Sequence, residues 1–100
     1  MILLQIDFPF EGGMGEEMSK SFKELAESIR DEEGLIWKIW TQNEETKEAG
    51  GIYLFSDKQS AKKYMNMHIE RLSGFGVKDI RAKLFEVNEP LSKISKAPLW

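Results

Sequence analysis

Two stretches of helical apolar period, set among four short strand-like runs, limit what this chain can fold into. In EEMSKSFKELAESIRDEEG, Met18, Phe22, Leu25 and Ile29 recur at helical spacing and so line one side of a helix, which Gly34 stops. In SDKQSAKKYMNMHIERLSGFG, Ser56 is placed as an N-cap. Ala61, Tyr64, Met65, His68 and Leu72 then share a face before Gly74 and Gly76 end the run. The first strand-like run, LLQIDFPF from Leu3 to Phe10, gives way at Pro9 to the glycine-rich turn EGGMG. GLIWKIWTQ and AGGIYLFS follow, joined by the polar NEETKE as a hairpin. VKDIRAKLFEV alternates Ile80, Ala82 and Leu84 against Arg81, Lys83 and Phe85, and NEPLSKISKAPLW closes the chain as a tail broken by Pro90 and Pro98.

The order βαββαβ implies an α+β sandwich of ferredoxin-like type, an antiparallel sheet with two helices on one face. Strand side chains alternate, so Trp37 and Trp40 must point to opposite sides of the sheet. A coherent helix-facing set is Ile6, Phe8, Trp37, Ile39, Ile52, Leu54, Ala82 and Leu84. It leaves Gln5, Asp7, Lys38, Trp40, Tyr53, Phe55, Lys83 and Phe85 on the other face, where four aromatic rings would stand in water in a monomer. One candidate cover is RNA, since the RNA-recognition motif has this element order. EAGGIYLF departs from its stacking motif, with Glu48 in the place of the cation and Gly50 and Ile52 in the places of the stacking aromatics. The other candidate is a second copy of the chain, packed sheet to sheet as an isologous homodimer.

One hundred residues bound a single domain with one core, read as residues 1–88 followed by the tail at 89–100. The lack of cysteine removes disulfides, thiolate nucleophiles and iron–sulfur ligation. One histidine, with no HxxxH or ExxH pair, gives no expectation of a metal. The glycines of EGGMG and AGG lack nucleotide-loop spacing and read as a turn and a strand bulge. Lys and Arg number 14 against 17 Asp and Glu, interspersed, which gives no cationic field for nucleic acid. MILLQIDFPFEGG has no basic region before its apolar start and is interrupted by Asp7 and Glu11. Neither a signal peptide nor a membrane span is expected, and the reading is a cytoplasmic protein.

LLQIDFPFEG, LAESI, GLIWKIWT, EAGGIYLFSD, the SA, Tyr64 and His68 of the second helix, GV, AKLFEVNEPLS and the tail together resemble the YdhR-type monooxygenase family over essentially the whole chain. The resemblance implies a dimeric α/β barrel, in which two ferredoxin-like protomers press their sheets together. It also implies an activity, because relatives include cofactor-free monooxygenases that oxidise anthrone-like aromatics to quinones. On that basis the chain is a cofactor-independent monooxygenase of an aromatic, anthrone- or quinol-like small molecule. The runner-up is a non-catalytic small-molecule binding or regulatory module of the same dimeric fold. The Asn, Trp, Tyr and Arg group described for such relatives finds Trp37, Tyr53 and Arg71 here as candidates by residue type, and none of the chain's Asn residues is placed in the pocket.

Oxygenation without a cofactor needs a base, donors for the anion it creates, and aromatic walls. His68, the sole histidine, lies on an otherwise apolar helix face beside Tyr64 and Met65 and is the candidate catalytic base. A hydrogen-bonded core histidine is the competing reading. Phe8, Trp37, Tyr53 and Tyr64 are the candidate substrate-binding residues, with the Trp37 N–H or the Tyr53 hydroxyl as donor. Arg71 reads as a solvated helix residue, and Phe55 and Phe85 as core or interface aromatics. The tail, with Leu91, Ile94, Leu99 and Trp100, is expected to pack across the dimer partner.

Overall fold

A computed structural model describes residues 1–99. The chain runs β1 (Ile2–Pro9), α1 (Glu16–Ser21), α2 (Lys23–Arg30), β2 (Leu35–Asn43), β3 (Glu48–Phe55), α3 (Lys58–Gly74), β4 (Arg81–Glu86) and α4 (Glu89–Ile94). The strands form one sheet in the order β2-β3-β1-β4, with every pairing antiparallel. This is the expected α+β ferredoxin-like architecture.

The first helical stretch forms as two pieces because Phe22 leaves helical geometry, at φ −105° and ψ 14°. Its apolar stripe survives the break: Met18 and Ile29 are buried, and Phe22 and Leu25 half-buried. On α3 the expected face is the one that packs, with Ala61, Tyr64, His68 and Leu72 buried. Its cap is Asp57 and not Ser56. The Asp57 carboxylate accepts from the Ser60 N–H at 2.7 Å, while the Ser56 hydroxyl donates to the same carboxylate at 3.1 Å. The tail also holds more regular structure than its prolines suggest. Asn88 caps α4 by accepting from the Leu91 N–H, and Pro90 sits in the first turn, where a missing N–H removes no helical bond.

The register corrects the expected division of faces. Ile2, Leu4 and Ile6 of β1 are buried under the helices. Leu4 stands opposite Tyr53 and Leu84, and Ile6 opposite Gly51 and Ala82. Paired residues share a face, so Tyr53 and Phe55 turn toward the helices, and Lys38 and Trp40, opposite Tyr53 and Gly51, turn with them. Trp37, Ile39, Ile52 and Leu54 lie on the open face with Gln5, Asp7, Lys83 and Phe85. The grouping of β1 and β4 therefore holds, and that of β2 and β3 is exchanged as a block.

The exchange has two physical causes. IYLF in β3 is apolar on both faces, so alternation cannot choose its side. In β2 the ladder shifts between Leu35 and Trp37, a bulge at Ile36 that puts these two residues on opposite faces. No such shift occurs at Ala49–Gly51, where the sequence suggested one. The glycine there meets a close approach instead, since a Cβ on Gly50 would fall 2.0 Å from the Ile6 carbonyl oxygen.

After α4 the chain returns to the open face of its own sheet. The Trp37 indole N–H donates to the Pro98 carbonyl, and Leu99 is buried. Trp100, part of the expected tail contact, lies outside the described residues. Ile39 and Phe85 remain 52% and 46% exposed on that face.

Candidate active site

Small residues on β3 open a space beneath the helices. Ala49 stands opposite Phe8 and Gly51 opposite Trp40, so no large side chain fills the floor between those rings. The result is a cavity of about 230 Å³. Phe8, Lys38, Trp40 and Tyr53 line it from the sheet, Met18, Phe22 and Leu25 from the first helical pair, and His68 and Leu72 from α3. Phe10 packs between Phe8 and Phe22 at centroid distances of 6.5 and 6.1 Å, and Phe22 stacks on Trp40 at 6.2 Å. The glycine-rich turn is pinned beside this aromatic rim, where the Gly15 N–H donates to Gln42 Oε1 at 2.9 Å.

Few polar groups reach this space. Lys38 Nζ lies 3.3 Å from the centroid of Trp40 and 4.6 Å from that of Tyr53. Burial, reinforced by the charge of Arg71, lowers its pKa to about 7. His68 is 3% exposed, and its Nδ1 accepts from Arg71 Nη2 at 2.8 Å. A guanidinium can only donate, so Nδ1 is the bare nitrogen and the neutral ring carries its proton on Nε2. Burial first, then the charges of Arg71 and Lys38, hold His68 neutral by lowering its pKa to about 3. Tyr64 stacks on the imidazole at 5.1 Å, and its hydroxyl donates to that of Tyr53 at 3.3 Å. Burial pushes Tyr53 well up, and Tyr64 up to about 12, so both phenols keep their protons.

The sequence that builds this fold and chamber is similar to a known family. Residues 3–98 fit the family described as "Putative mono-oxygenase ydhR". The chain belongs to this family. A solved structure described as a "putative antibiotic biosynthesis monooxygenase" from Deinococcus radiodurans is similar to it, with a TM-score of 0.65 and 11% identity, over 88% of this chain and 93% of that one. At that identity the likeness shows the fold. No curated protein gives a significant match.

In this ydhR-family chain the fold brings three of the expected site residues, Phe8, Tyr53 and His68, to one cavity. Tyr64 stands behind Tyr53, joined to it through the hydroxyl pair. Trp37 does not border the cavity, because the Ile36 bulge sends it to the other face; Trp40 takes that place. Arg71 is half-buried against His68 and not a solvated helix residue. Sequence reasoning passed over Lys38, whose inward direction depends on the same bulge. The signal for Arg71 was its spacing, since side chains three apart on a helix are neighbours. Among the described residues no three His, Asp or Glu side chains gather to hold a metal, and no helix is long and apolar enough to cross a membrane.

Proposed function

We propose that this ydhR-family protein is a monooxygenase that oxidises a small aromatic, anthrone- or quinol-like molecule with dioxygen, the substrate itself supplying the electrons. The observation that carries the reading is Lys38, an amine poised near neutrality in an aromatic cavity. A base is most effective when its pKa lies close to the working pH. Neutral Lys38 Nζ takes a proton from the activated C–H of the substrate, leaving a resonance-stabilised anion. That anion gives its electrons to dioxygen and forms a C–O bond, and the peroxide takes up a proton. Loss of the second C–H proton then breaks the O–O bond, so one oxygen stays as the new carbonyl and the other leaves as water.

His68 suits a different part from the base that its uniqueness suggests. Its Nδ1 is held by Arg71 and its Nε2 already carries hydrogen, so it serves as a donor to the developing oxyanion. The same reading sets a second copy of the chain against the open sheet face, at Ile39 and Phe85, with the exposed Leu91 and Ile94 of α4 reaching toward that partner.

Oxygen uptake by metal-free, flavin-free protein with anthrones and quinols tests the chemistry. Lys38→Met should lower the rate about a hundredfold. Retained rate in Lys38→Met together with loss in His68→Gln would return the base to His68. If no such substrate consumes oxygen above the uncatalysed rate, the oxygenase reading fails and a binding or regulatory module takes its place.

A further inference from the structure

The cavity's charge is one-sided. No Asp or Glu lines it, and apart from Lys38, Thr41 and His68 its walls are aromatic and aliphatic. Lys38 faces Trp40 and Tyr53, while Arg71 spends its hydrogen bonds on neutral His68. Among the described residues neither cation has a carboxylate within ion-pair distance, whereas Arg30 is paired with Asp31, and Arg81 with Asp7 and Glu48. The other titratable groups around Lys38 are Tyr53 on β3 and Tyr64 and His68 on α3, all uncharged near neutral pH. The first helical pair contributes only Met18, Phe22 and Leu25 to this wall. A half-buried amine without a counterion is unfavourable, and an anion brought in with the ligand would remove that cost.

We infer that the cavity is built for an anionic aromatic ligand, one bearing a carboxylate or an acidic phenol, with Lys38 as its counterion. The flat rings of Phe8, Phe22, Trp40 and Tyr53 take the aromatic body, and the Nε2–H of His68 is a second donor for the anion. At about 230 Å³ the space is smaller than the pockets of about 300 Å³ and upward that hold drug-sized molecules, which suits it to a compact fused aromatic. The inference rests on the reading of this cavity as the substrate site and not on the oxygen chemistry: a carboxylate paired with Lys38 keeps the amine protonated and is bound without being deprotonated there, whereas an acidic phenol hands its own proton to the neutral amine.

The anion also changes the charge state of the site. Above pH 7 the free amine is largely neutral, so an anion that pairs with it draws a proton in from solution. Calorimetric titration of the full chain with naphthoate and its neutral amide, in two buffers of different ionisation enthalpy, reads both effects. Naphthoate should bind at least about tenfold more tightly than the amide at pH 7, with close to one proton taken up at pH 8 and none for the amide. Its affinity should fall about tenfold between pH 8 and pH 9. Lys38→Met should lose the preference and the pH dependence and still bind the amide, which shows that the variant's cavity is intact. Equal affinities, no binding of either probe, or a preference that survives in Lys38→Met would each overturn the inference. A protein that selects naphthoate but oxidises no substrate keeps it and loses the oxygenase reading; one that oxidises neutral anthrones and ignores the carboxylate does the reverse.

Discussion

The half-buried amine that the proposed chemistry needs at Lys38 should weaken the fold, and Lys38→Met measures by how much. The folded chain holds the group's pKa at about 7 against an ordinary 10.5. At about 1.4 kcal/mol per pKa unit, that separation bounds the penalty for the protonated amine at about 5 kcal/mol. The group is only half-buried, so relaxation and solvent reduce the figure to about 2 kcal/mol. Methionine keeps the unbranched stem across Trp40 and gives up the cation–π contact, worth about 0.5–1 kcal/mol. Lys38→Met should therefore be more stable than the wild type by about 1 kcal/mol at pH 6.5. The folded pKa lies below the unfolded one, so the unfolded chain carries the extra proton between pH 7 and 10.5, and wild-type stability climbs toward that of the variant across the window. Urea unfolding of both proteins at pH 6.5, 8 and 9.5 reads the difference, provided that the denaturant slopes agree. A variant less stable at pH 6.5, or a difference that stays flat with pH, would refute the placement of a depressed amine in the cavity. A stabilised variant without activity is the pattern expected where a site is kept at the expense of the fold.

Ile39→Glu, which puts a charge on the open sheet face, should shift a dimer to monomer in sedimentation velocity; a wild type that is monomeric at every concentration would remove the proposed partner. Asp57→Ala should cost about 1 kcal/mol in urea unfolding through the lost cap of α3, and Ser56→Ala much less, because Ser56 touches the helix only through Asp57. Equal losses would return the cap to Ser56.

Elements were legible in this sequence where polarity was one-sided. The helical stripe through Met18, Phe22, Leu25 and Ile29 and the face of α3 through Tyr64 and His68 follow from period alone. In β1 and β4, Gln5, Asp7, Arg81 and Lys83 mark the open side, so Ile6, Phe8, Ala82 and Leu84 fall under the helices as expected. In β2 and β3 both faces carry large apolar side chains, because one packs under the helices and the other forms the sheet's second apolar surface. Alternation then fixes which residues share a face and not which face it is. Trp37 and Ile39 were rightly grouped with Leu54 and Ile52, and wrongly sided. The cap was assigned to Ser56, but the adjacent Asp57 is as good an acceptor, and backbone geometry decides between them where composition does not.

The Ile36 bulge links the fold to the proposed chemistry. In a regular ladder Leu35, Trp37 and Ile39 would all lie beneath the helices, and the cavity would hold a tryptophan and no amine, with Lys38 left on the open face. One additional residue turns Trp40 and Lys38 inward together, two positions apart, so that the ring lies directly against the ammonium it must shield. The same residue sends Trp37 outward, where its N–H holds Pro98 and ties the tail to the strand that carries Lys38. The two tryptophans on opposite faces are thus one device. Trp40 sets the environment of the amine, and Trp37 anchors from behind the strand on which its position depends.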